Sequence, residues 1–335
     1  MAEIRRDLVK NNWVAVATDM ALKPHDFPIN KRGIETAGSH MFCPFCEGNE
    51  LSTPPEIMAY RDNCSEANTP GWSIRVIPNK YSVFQLEGEL EKTHAGIYSN
   101  YNGLGRQEVI IETPKHGVDL HELGQEKVAQ VFRMLKLRYN ELSQDDRIKY
   151  IQIYKNRGIF AGASQDHSHS QMMGLPSMPH WNSGPADYYH KKEQCLLCAI
   201  IAQEKQIGVR VVYETDYFLL ICPYASRFSY ETWVIPKQHC EHFGAISEAE
   251  IEDLAMVCRA YTQMMVQTLQ NPAYNFIFNT APVNLPYQPG FHWYMEINPR
   301  LLVNNAVDIA TGMYMNPVAP ELSAALFREN MLKQS

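Results

Sequence analysis

The sequence predicts an α+β protein made of two copies of one unit, with antiparallel sheets and helices packed on them. Short apolar runs recur as strands. When the opening strand at 12–18 is set aside, each half has one amphipathic helix that follows three strands and precedes two. Each half also has one C-x-x-C pair followed at long range by two histidines. A proline-rich break at 175–180 separates the halves, which we place at 1–178 and 179–335.

The strands of the first half are short apolar runs between turn residues, expected at 12–18, 72–78, 81–86, 107–113 and 149–154. Residues 19–70 are rich in Pro, Asn, Gly and Ser and are expected to be mostly loop. Apolar residues at spacings of three and four from Val128 to Leu142 predict a helix. A turn at 156–158 leads into a last strand that carries histidines.

The second half repeats this order, with strands expected at 210–213, 217–222, 232–235, 274–279 and 292–297. Its helix opens with Ser247 and Glu250, which fit a capping box. The apolar face of that helix runs from Ile251 to Leu269. The order of elements therefore predicts a duplicated β-β-β-α-β-β unit.

The composition restricts the class of protein. An apolar fraction of 45% is ample for a core, and a net charge of −7 argues against a broad nucleic-acid-binding face. The N-terminus leads into no signal-like apolar run, and no stretch approaches the roughly 20 apolar residues of a membrane span. We therefore expect a cytoplasmic protein without nucleic-acid or membrane partners, in which the eight cysteines are thiols or metal ligands.

One short stretch of the first half carries the candidate chemistry. Its His167, His169 and Gln171 share one face of an extended backbone, because side chains alternate along a strand. Ser168 and Ser170 face the other side. An imidazole held by a metal, a second imidazole as nucleophile and an amide as donor suit attack on phosphorus. The alternative interpretation is that this stretch is a polar strand at the edge of a sheet and has no catalytic role.

The roles within this stretch follow from the residue types. His169 is the candidate nucleophile, and Gln171 is a candidate donor to a phosphoryl oxygen. Gly162 and Ser164 lie just upstream, where a bend can bring backbone N–H groups close to an anion. The Ser164 hydroxyl would be a second donor to the phosphoryl group.

Each half also offers two cysteines and two histidines to a metal ion. The two histidines are 51 positions apart in the first half and 53 apart in the second. Two thiolates and two neutral imidazoles suit tetrahedral Zn²⁺ and leave no open position, so both sites would be structural. The predicted ligands are Cys43, Cys46, His116 and His167 in one site, and Cys195, Cys198, His239 and His292 in the other.

Alternatives remain for these sites. Cys240 and His242 compete with His239 as ligands in the second half, and either cysteine pair can be incidental. Zinc ribbons that bind nucleic acid are disfavoured by the acidic charge and by the distant histidines. A metal on His167 would fix the strand and so direct His169, two residues away.

The second half lacks the reactive row. At the positions that match the row it has His292, Tyr294 and Glu296. Tyrosine therefore replaces the nucleophile, and we expect one active site in each chain.

These residues resemble the galactose-1-phosphate uridylyltransferase family, the transferase branch of the histidine-triad superfamily, over nearly the whole chain. The family pattern G-x-S-x-x-H-P/S-H-x-Q matches 162–171, and its C-x-x-C and P-x-H motifs match 43–46 and 114–116. Asn79 and Asn156 match asparagines that contact the nucleotide in the family. By this resemblance Gly162, Ser164 and Gln171 also bind substrate, and Gln171 in place of a third histidine marks a transferase.

Several features resemble the ADP-glucose phosphorylase-type branch of the family. Ser168 stands where a proline is usual, and the tail at 310–321, which reads A-T-G-M-Y-M-N-P-V-A-P-E, resembles that branch's G-T-G-x-Y-x-N-P-V-x-P-E. One departure concerns phosphate binding, since Met20 and Lys23 stand where the family usually has arginines.

The resemblance implies two histidine-triad-like units and a homodimer. It implies transfer of a nucleoside monophosphate from a nucleotide sugar, UDP-glucose, to a hexose 1-phosphate in galactose metabolism, through a nucleotidyl-histidine. One alternative is ADP-glucose phosphorylase-type adenylyl transfer to inorganic phosphate. A nucleotide-sugar hydrolase and a non-catalytic, zinc-stabilised binding protein are the others.

Overall fold

The computed structural model describes residues 2–17, 22–27, 42–61, 65–177, 183–285 and 290–332. At the centre of these residues lies a ten-stranded sheet in which every pairing is antiparallel. The predicted boundary between the halves, at 178/179, lies outside the described residues, as does Met20.

The elements of the first half are β1 Ala2–Asp7, β2 Asn12–Ala17, β3 Met58–Arg61, β4 Trp72–Pro78, β5 Lys92–Ala95, β6 Tyr98–Tyr101, β7 Arg106–Ile111, α1 Gln125–Leu142, β8 Tyr150–Arg157 and β9 His169–Leu175. Those of the second half are α2 Ser183–Lys192, α3 Leu196–Ile207, β10 Val211–Glu214, β11 Phe218–Ile221, β12 Thr232–Pro236, α4 Glu248–Thr268, β13 Tyr274–Asn279, β14 Tyr294–Pro299, α5 Ala306–Thr311, β15 Tyr314–Asn316 and α6 Pro320–Met331.

The strand order of the large sheet repeats. From its two edges inward, the order is β3-β4-β7-β9-β8 on one side and β10-β11-β12-β14-β13 on the other. In each set of five, a helix, α1 or α4, lies between the third and fourth strands in sequence. The predicted duplication of a β-β-β-α-β-β unit is confirmed, and the two units join where β8 pairs with β13.

Helices α1 and α4 cover one face of the sheet and form the main core with it. Their apolar stripes are buried, including Phe132 and Leu135 on α1 and Leu254 on α4, and they pack with Ile153 and Met172 of the sheet. Each such side chain contributes about 1.5–3 kcal/mol when fully buried. Ser247 and Glu250 make the predicted capping box at the start of α4.

Several local predictions are wrong, and long-range pairing explains most of them. Residues 81–86 form no strand, and only an isolated bridge joins Gln85 to Leu104. Asn156 and Arg157 are the last residues of β8 instead of a turn, because they pair with β13 of the other half. The sequence also gave no signal for the hairpin of β5 and β6.

The first two strands lie against the second half. Strand β2 pairs in parallel with β15, and β1 pairs with β2, which gives a separate three-stranded sheet. The turn between β1 and β2 carries Lys10 onto the large sheet near Glu296. Among the described residues, no helix combines the length and the apolar character that crossing a bilayer requires.

Candidate active site

His169 begins strand β9, between β7 and β8 in the interior of the sheet. Its ring is buried, and Nδ1 lies 2.7 Å from the backbone oxygen of His167. A carbonyl only accepts, so Nδ1 carries the proton and Nε2 keeps its lone pair. Burial lowers the pKa of His169, which is consistent with a neutral imidazole.

His167 directs its other nitrogen to the two sulfurs of the first cysteine pair. Its Nε2 donates to the Thr113 oxygen at 2.7 Å, while Nδ1 lies 3.6 Å from Cys43 Sγ and 3.7 Å from Cys46 Sγ. The His116 ring lies beside it, at 5.6 Å between centroids. All four ligand atoms fall within 4.8 Å of one another, so Cys43, Cys46, His116 and His167 could hold a metal ion, as predicted.

The second half repeats this arrangement. His292 Nδ1 lies 3.7 Å from Cys195 Sγ and 3.6 Å from Cys198 Sγ, and His239 Nδ1 lies 3.7 Å from Cys198 Sγ. The four ligand atoms again fall within 4.8 Å, so this cluster also has the donors for a metal ion. One difference is that His292 Nε2 is buried without a hydrogen-bond partner.

The competing ligands of the second half are engaged elsewhere. The Cys240 thiol donates to the backbone oxygen of His242 at 3.3 Å. The His242 ring contacts the Tyr139 hydroxyl at 3.3 Å. The geometry therefore selects His239 as the second imidazole of this cluster.

Gln171 lies two residues along β9 from His169, opposite Tyr154 of β8. The Tyr154 hydroxyl donates to Gln171 Oε1 at 3.0 Å, and the Gln107 amide donates to the same oxygen at 3.4 Å. The carbonyl end of the amide is thereby occupied. The predicted donor role falls to the N–H₂ end of the amide.

A cavity of about 650 Å³ lies beside this row, on the sheet face opposite α1 and α4. Tyr154 and Asn156 of β8, Asn275 of β13, the loop residue Gly162 and the cation Arg300 are among its lining residues. Tyr154 thus joins the cavity to the amide of Gln171.

Two asparagines hold the loop that forms one wall of the cavity. Asn275 donates to Asn156 Oδ1 and to the Ala161 oxygen, both at 2.8 Å. Gly162 has φ +83° and ψ 18°, a left-handed conformation that glycine adopts at little cost. Ser164 is an exposed residue of the same loop. The predicted bend is therefore present between β8 and the histidine row.

Asn79 is a predicted substrate residue that, like Ser164 and Gln171, is not among the lining residues of this cavity, whereas Asn156 and Gly162 are. It follows β4, and its side chain accepts from the Tyr81 backbone N–H at 2.9 Å. Its own N–H donates to the oxygen of Gln107, whose amide reaches Gln171. Asn79 is therefore connected to Gln171 by way of Gln107, and it lies outside the cavity wall.

The corresponding face of the second half is occupied by the protein itself. Tyr294 takes the place of His169, and its hydroxyl donates to Glu296 Oε1 at 3.1 Å. Lys10 places its ammonium group 3.0 Å from Glu296 and 2.6 Å from Asn279 Oδ1. Arg227 also pairs with Glu296. A carboxylate with two cations fills the position where the first half has a neutral amide beside a cavity.

Sequence reasoning missed Tyr154, Asn275 and Arg300. The first two lie in strands that were predicted, and their alternating polar positions on β8 and β13 were a usable signal. Arg300 follows β14, and only the pairing of the two halves brings it near Asn156.

The chain is built from two copies of one unit, and only the first copy carries the row of His167, His169 and Gln171. A family model described as galactose-1-phosphate uridyl transferase, N-terminal domain, matches residues 40–179. ADP-glucose phosphorylase of Arabidopsis thaliana is 34% identical over 98% of this chain and 92% of its own length. The chain belongs to the galactose-1-phosphate uridylyltransferase family.

Other relatives are similar over their whole length. Galactose-1-phosphate uridylyltransferase of Thermotoga maritima is 27% identical over 98% of both chains. The crystal structure of an ADP-glucose phosphorylase from Arabidopsis thaliana with bound ADP-glucose superposes with a TM-score of 0.80 and 30% identity. It covers 98% of this chain and 99% of its own. Both kinds of relative therefore share the complete fold with this chain.

Proposed function

We propose that this enzyme transfers a nucleoside monophosphate from a nucleotide sugar to a phosphate acceptor through a nucleotidyl-histidine on His169. The lone pair of Nε2 attacks the α-phosphorus, and the bond to the bridging oxygen breaks. The sugar 1-phosphate leaves with that electron pair. A phosphate oxygen of the acceptor then attacks the same phosphorus, and the P–N electron pair returns to Nε2.

The hydrogen bond from His169 Nδ1 to the His167 oxygen is the observation that carries the proposal. It holds the proton on Nδ1, so the nucleophilic lone pair is on Nε2 without any preceding proton transfer. The leaving group is itself a phosphate and needs little protonation. Gln171 and Ser164 supply donors to the phosphoryl oxygens, and each such donor contributes about 3 kcal/mol to barrier lowering.

The remaining predicted residues position the nucleotide. Asn156 and Gly162 line the cavity beside the nucleophile, and Asn79 approaches from the end of β4. The cavity volume suits a nucleotide-sized ligand.

We also propose that both cysteine–histidine clusters hold Zn²⁺, because N₂S₂ donors in close array suit that ion. When bound at Cys43, Cys46, His116 and His167, the ion supplies a fixed anchor and no open coordination position. His167 then holds its backbone oxygen in place for the His169 ring.

Two substrate pairs are candidates. Uridylyl transfer from UDP-glucose to a hexose 1-phosphate is supported by the family model and by the relative from Thermotoga maritima. Adenylyl transfer from ADP-glucose to inorganic phosphate is supported by the relative that is 34% identical and by its superposed structure with bound ADP-glucose. The relative that supports the ADP-glucose pair has the higher sequence identity to this chain, 34% against 27%.

The test is incubation of the protein with α-labelled UDP-glucose or α-labelled ADP-glucose, without acceptor. We expect one nucleotide to label the protein, on His169, and the label to leave when the matching acceptor is added. His169→Ala should take up no label. A release of free nucleoside monophosphate at the turnover rate would instead indicate a hydrolase, and no label from either nucleotide sugar would exclude the covalent route.

A further inference from the structure

The reverse face of the reactive strand carries a buried polar cluster that the proposed chemistry does not use. Ser168 and Ser170 flank His169 and point away from its ring, toward Glu112. Ser168 Oγ donates to Glu112 Oε2 at 2.6 Å, and Ser170 Oγ donates to Glu112 Oε1 at 2.5 Å. One carboxylate thus holds the residues on both sides of the nucleophile, with one oxygen for each.

A second carboxylate, Asp119, lies 3.2 Å from Ser168 Oγ. Lys155 of the neighbouring strand β8 completes the cluster and lies 3.7 Å from Asp119 Oδ1. Its ammonium group lies 2.6 Å from Glu112 Oε2 and 2.8 Å from Ser168 Oγ. It also lies 3.5 Å from the backbone oxygen of His169 itself. Glu112 is 1% exposed and Lys155 2%, so the pair is fully desolvated.

The second half shows that the fold does not require this cluster. The strand pairing identifies equivalent positions in the two halves. Gln171 pairs with Tyr154, and Glu296 pairs with Ile277, so Gln171 is equivalent to Glu296 and Tyr154 to Ile277. On their other side, Gln171 pairs with Val109 of β7 and Glu296 pairs with Trp233 of β12, so Val109 is equivalent to Trp233. Counting along the strands from these pairs places Pro236, Phe278, Trp293 and Met295 of the second half at the positions of Glu112, Lys155, Ser168 and Ser170, in that order. All four of those are buried, and the last three belong to the apolar core.

A buried ion pair is seldom the most stable filling for such a space. Taking two charges out of water costs several kcal/mol for each ion, and well-packed apolar side chains of similar volume are often at least as stable. The same sheet positions are apolar in the half without a nucleophile and charged in the half with one. A role tied to the nucleophile accounts for this difference, and a role in folding does not.

We infer that Glu112, with Lys155 as its counter-charge, positions His169 by fixing Ser168 and Ser170 on either side of it. The inference rests on the proposed nucleotidyl transfer to His169. In-line attack needs the ring nitrogen at the correct distance and angle, and a misplacement of about 1 Å costs about a hundredfold in rate. The metal cluster restrains the strand from the side of His167, and Glu112 restrains it from the opposite face of the sheet.

The inference also gives a reason for the serine between the two histidines. A proline at position 168, as the family usually has, would hold its own φ angle without a hydroxyl. Ser168 lacks that restraint, and its hydrogen bonds to Glu112 and Lys155 replace it.

The test compares Ser168→Ala/Ser170→Ala with Tyr261→Phe in the full-length protein. Tyr261→Phe is a matched control, because it removes a fully buried hydroxyl that donates to Thr232 at 2.8 Å in the second half. For each protein we would measure the single-turnover rate of labelling by the α-labelled nucleotide sugar that labels the wild type. Nucleotide-sugar affinity, bound metal and thermal stability are measured on the same samples.

We expect the double variant to be labelled about 100-fold more slowly, with affinity and metal content unchanged. Tyr261→Phe should lose comparable stability and keep the wild-type labelling rate. If the double variant does not fold, the single variants take its place, each with an expected loss of about tenfold, and Lys155→Arg should retain more of the rate than Lys155→Met.

A labelling rate within threefold of wild type in well-folded serine variants would overturn the positioning role while leaving the proposed function standing. Absence of any label on the wild-type protein is a different result. It would overturn the proposed function and with it this inference.

Discussion

The hydroxyl of Tyr154 lies 3.0 Å from Oε1 of Gln171, and this contact occupies the oxygen end of the amide. An unrestrained amide can present either its oxygen or its N–H₂ group to a ligand. Because a phenol O–H donates to the amide oxygen here, the N–H₂ end remains as the donor that we expect to reach a bound phosphoryl group.

We predict that Tyr154→Phe lowers kcat about fivefold, since a hydrogen bond of this kind contributes about 1 kcal/mol. Gln171→Ala, which removes the donor itself, should lower kcat by about 100-fold. Steady-state kinetics with the preferred nucleotide sugar measure both effects. Equal kcat values for Tyr154→Phe and the wild type would show that the amide is oriented by other contacts.

Arg300 is predicted to bind an anionic or hydroxyl-rich part of the substrate. It lines the cavity, and its Nε is buried without a hydrogen-bond partner. Its guanidinium carbon lies 4.6 Å from the centre of the Phe228 ring, and its Nη2 donates to Asn304 Oδ1 at 3.4 Å. Burial lowers the pKa of Arg300, a cost that a bound ligand would offset.

We expect Arg300→Met to raise the KM for the nucleotide sugar about tenfold with a smaller change in kcat, as loss of a charged hydrogen bond implies. Arg259→Met is the control, because that guanidinium binds the Leu123 oxygen on the helix side of the sheet. Similar KM values for the two variants would contradict a contact between Arg300 and substrate.

Metal loss from the two clusters should have different consequences. Cys43→Ser removes a ligand beside His167, so we predict loss of one zinc equivalent and a drop in kcat of about 10- to 100-fold. Cys198→Ser should lose the other equivalent and thermal stability, with kcat for the folded protein within about threefold of wild type. Elemental analysis of each variant, combined with turnover assays, checks both statements. Full activity in Cys43→Ser that has lost this zinc equivalent would refute a positioning role for that site.

Acid should weaken the cluster around Glu296. Burial alone would raise the pKa of Glu296, but the charges of Arg227 and Lys10 outweigh it and lower that pKa from 4.5 to about 2. A carboxyl whose pKa is lowered by folding stabilises the protein above its unfolded pKa. This contribution is lost as pH falls from 4.5 to about 2.

We predict that Glu296→Gln lowers the free energy of unfolding at pH 7 by about 3 kcal/mol, and that the difference from wild type shrinks toward pH 2. Urea denaturation at several pH values measures it. A difference that is constant between pH 5 and pH 2 would mean that Glu296 keeps an ordinary pKa in the folded protein.

The repeat and the ligand sets could be predicted because they depend on local pattern and spacing. Strand β13 begins and ends where the apolar run does, at Tyr274 and Asn279, and the Ser247 cap is a short-range signal. The cysteine–histidine clusters followed from residue type, since few other arrangements satisfy a C-x-x-C pair with two distant histidines.

The rest depends on contacts that no local pattern encodes. Asn156 looked like a turn residue because Asn and Gly favour turns, yet its pairing with Asn275 extends β8. Lys10 has no sequence feature that links it to Glu296, which lies far along the chain. The position of Glu112 was not predicted either, because its partners Ser168 and Ser170 were interpreted only as residues on the other face of a strand.

The position of β9 inside the ten-stranded sheet has a consequence for motion. His169 starts a strand that has neighbours on both sides, and the Cys/His cluster and Glu112 restrain it further. In deuterium-exchange experiments its amides should therefore be among the slowest to exchange, while those of the exposed β5–β6 hairpin exchange early. We therefore expect the ring of His169 to be held rigidly, so that changes in substrate preference can accumulate in the surrounding loops without disturbing the geometry of bond formation.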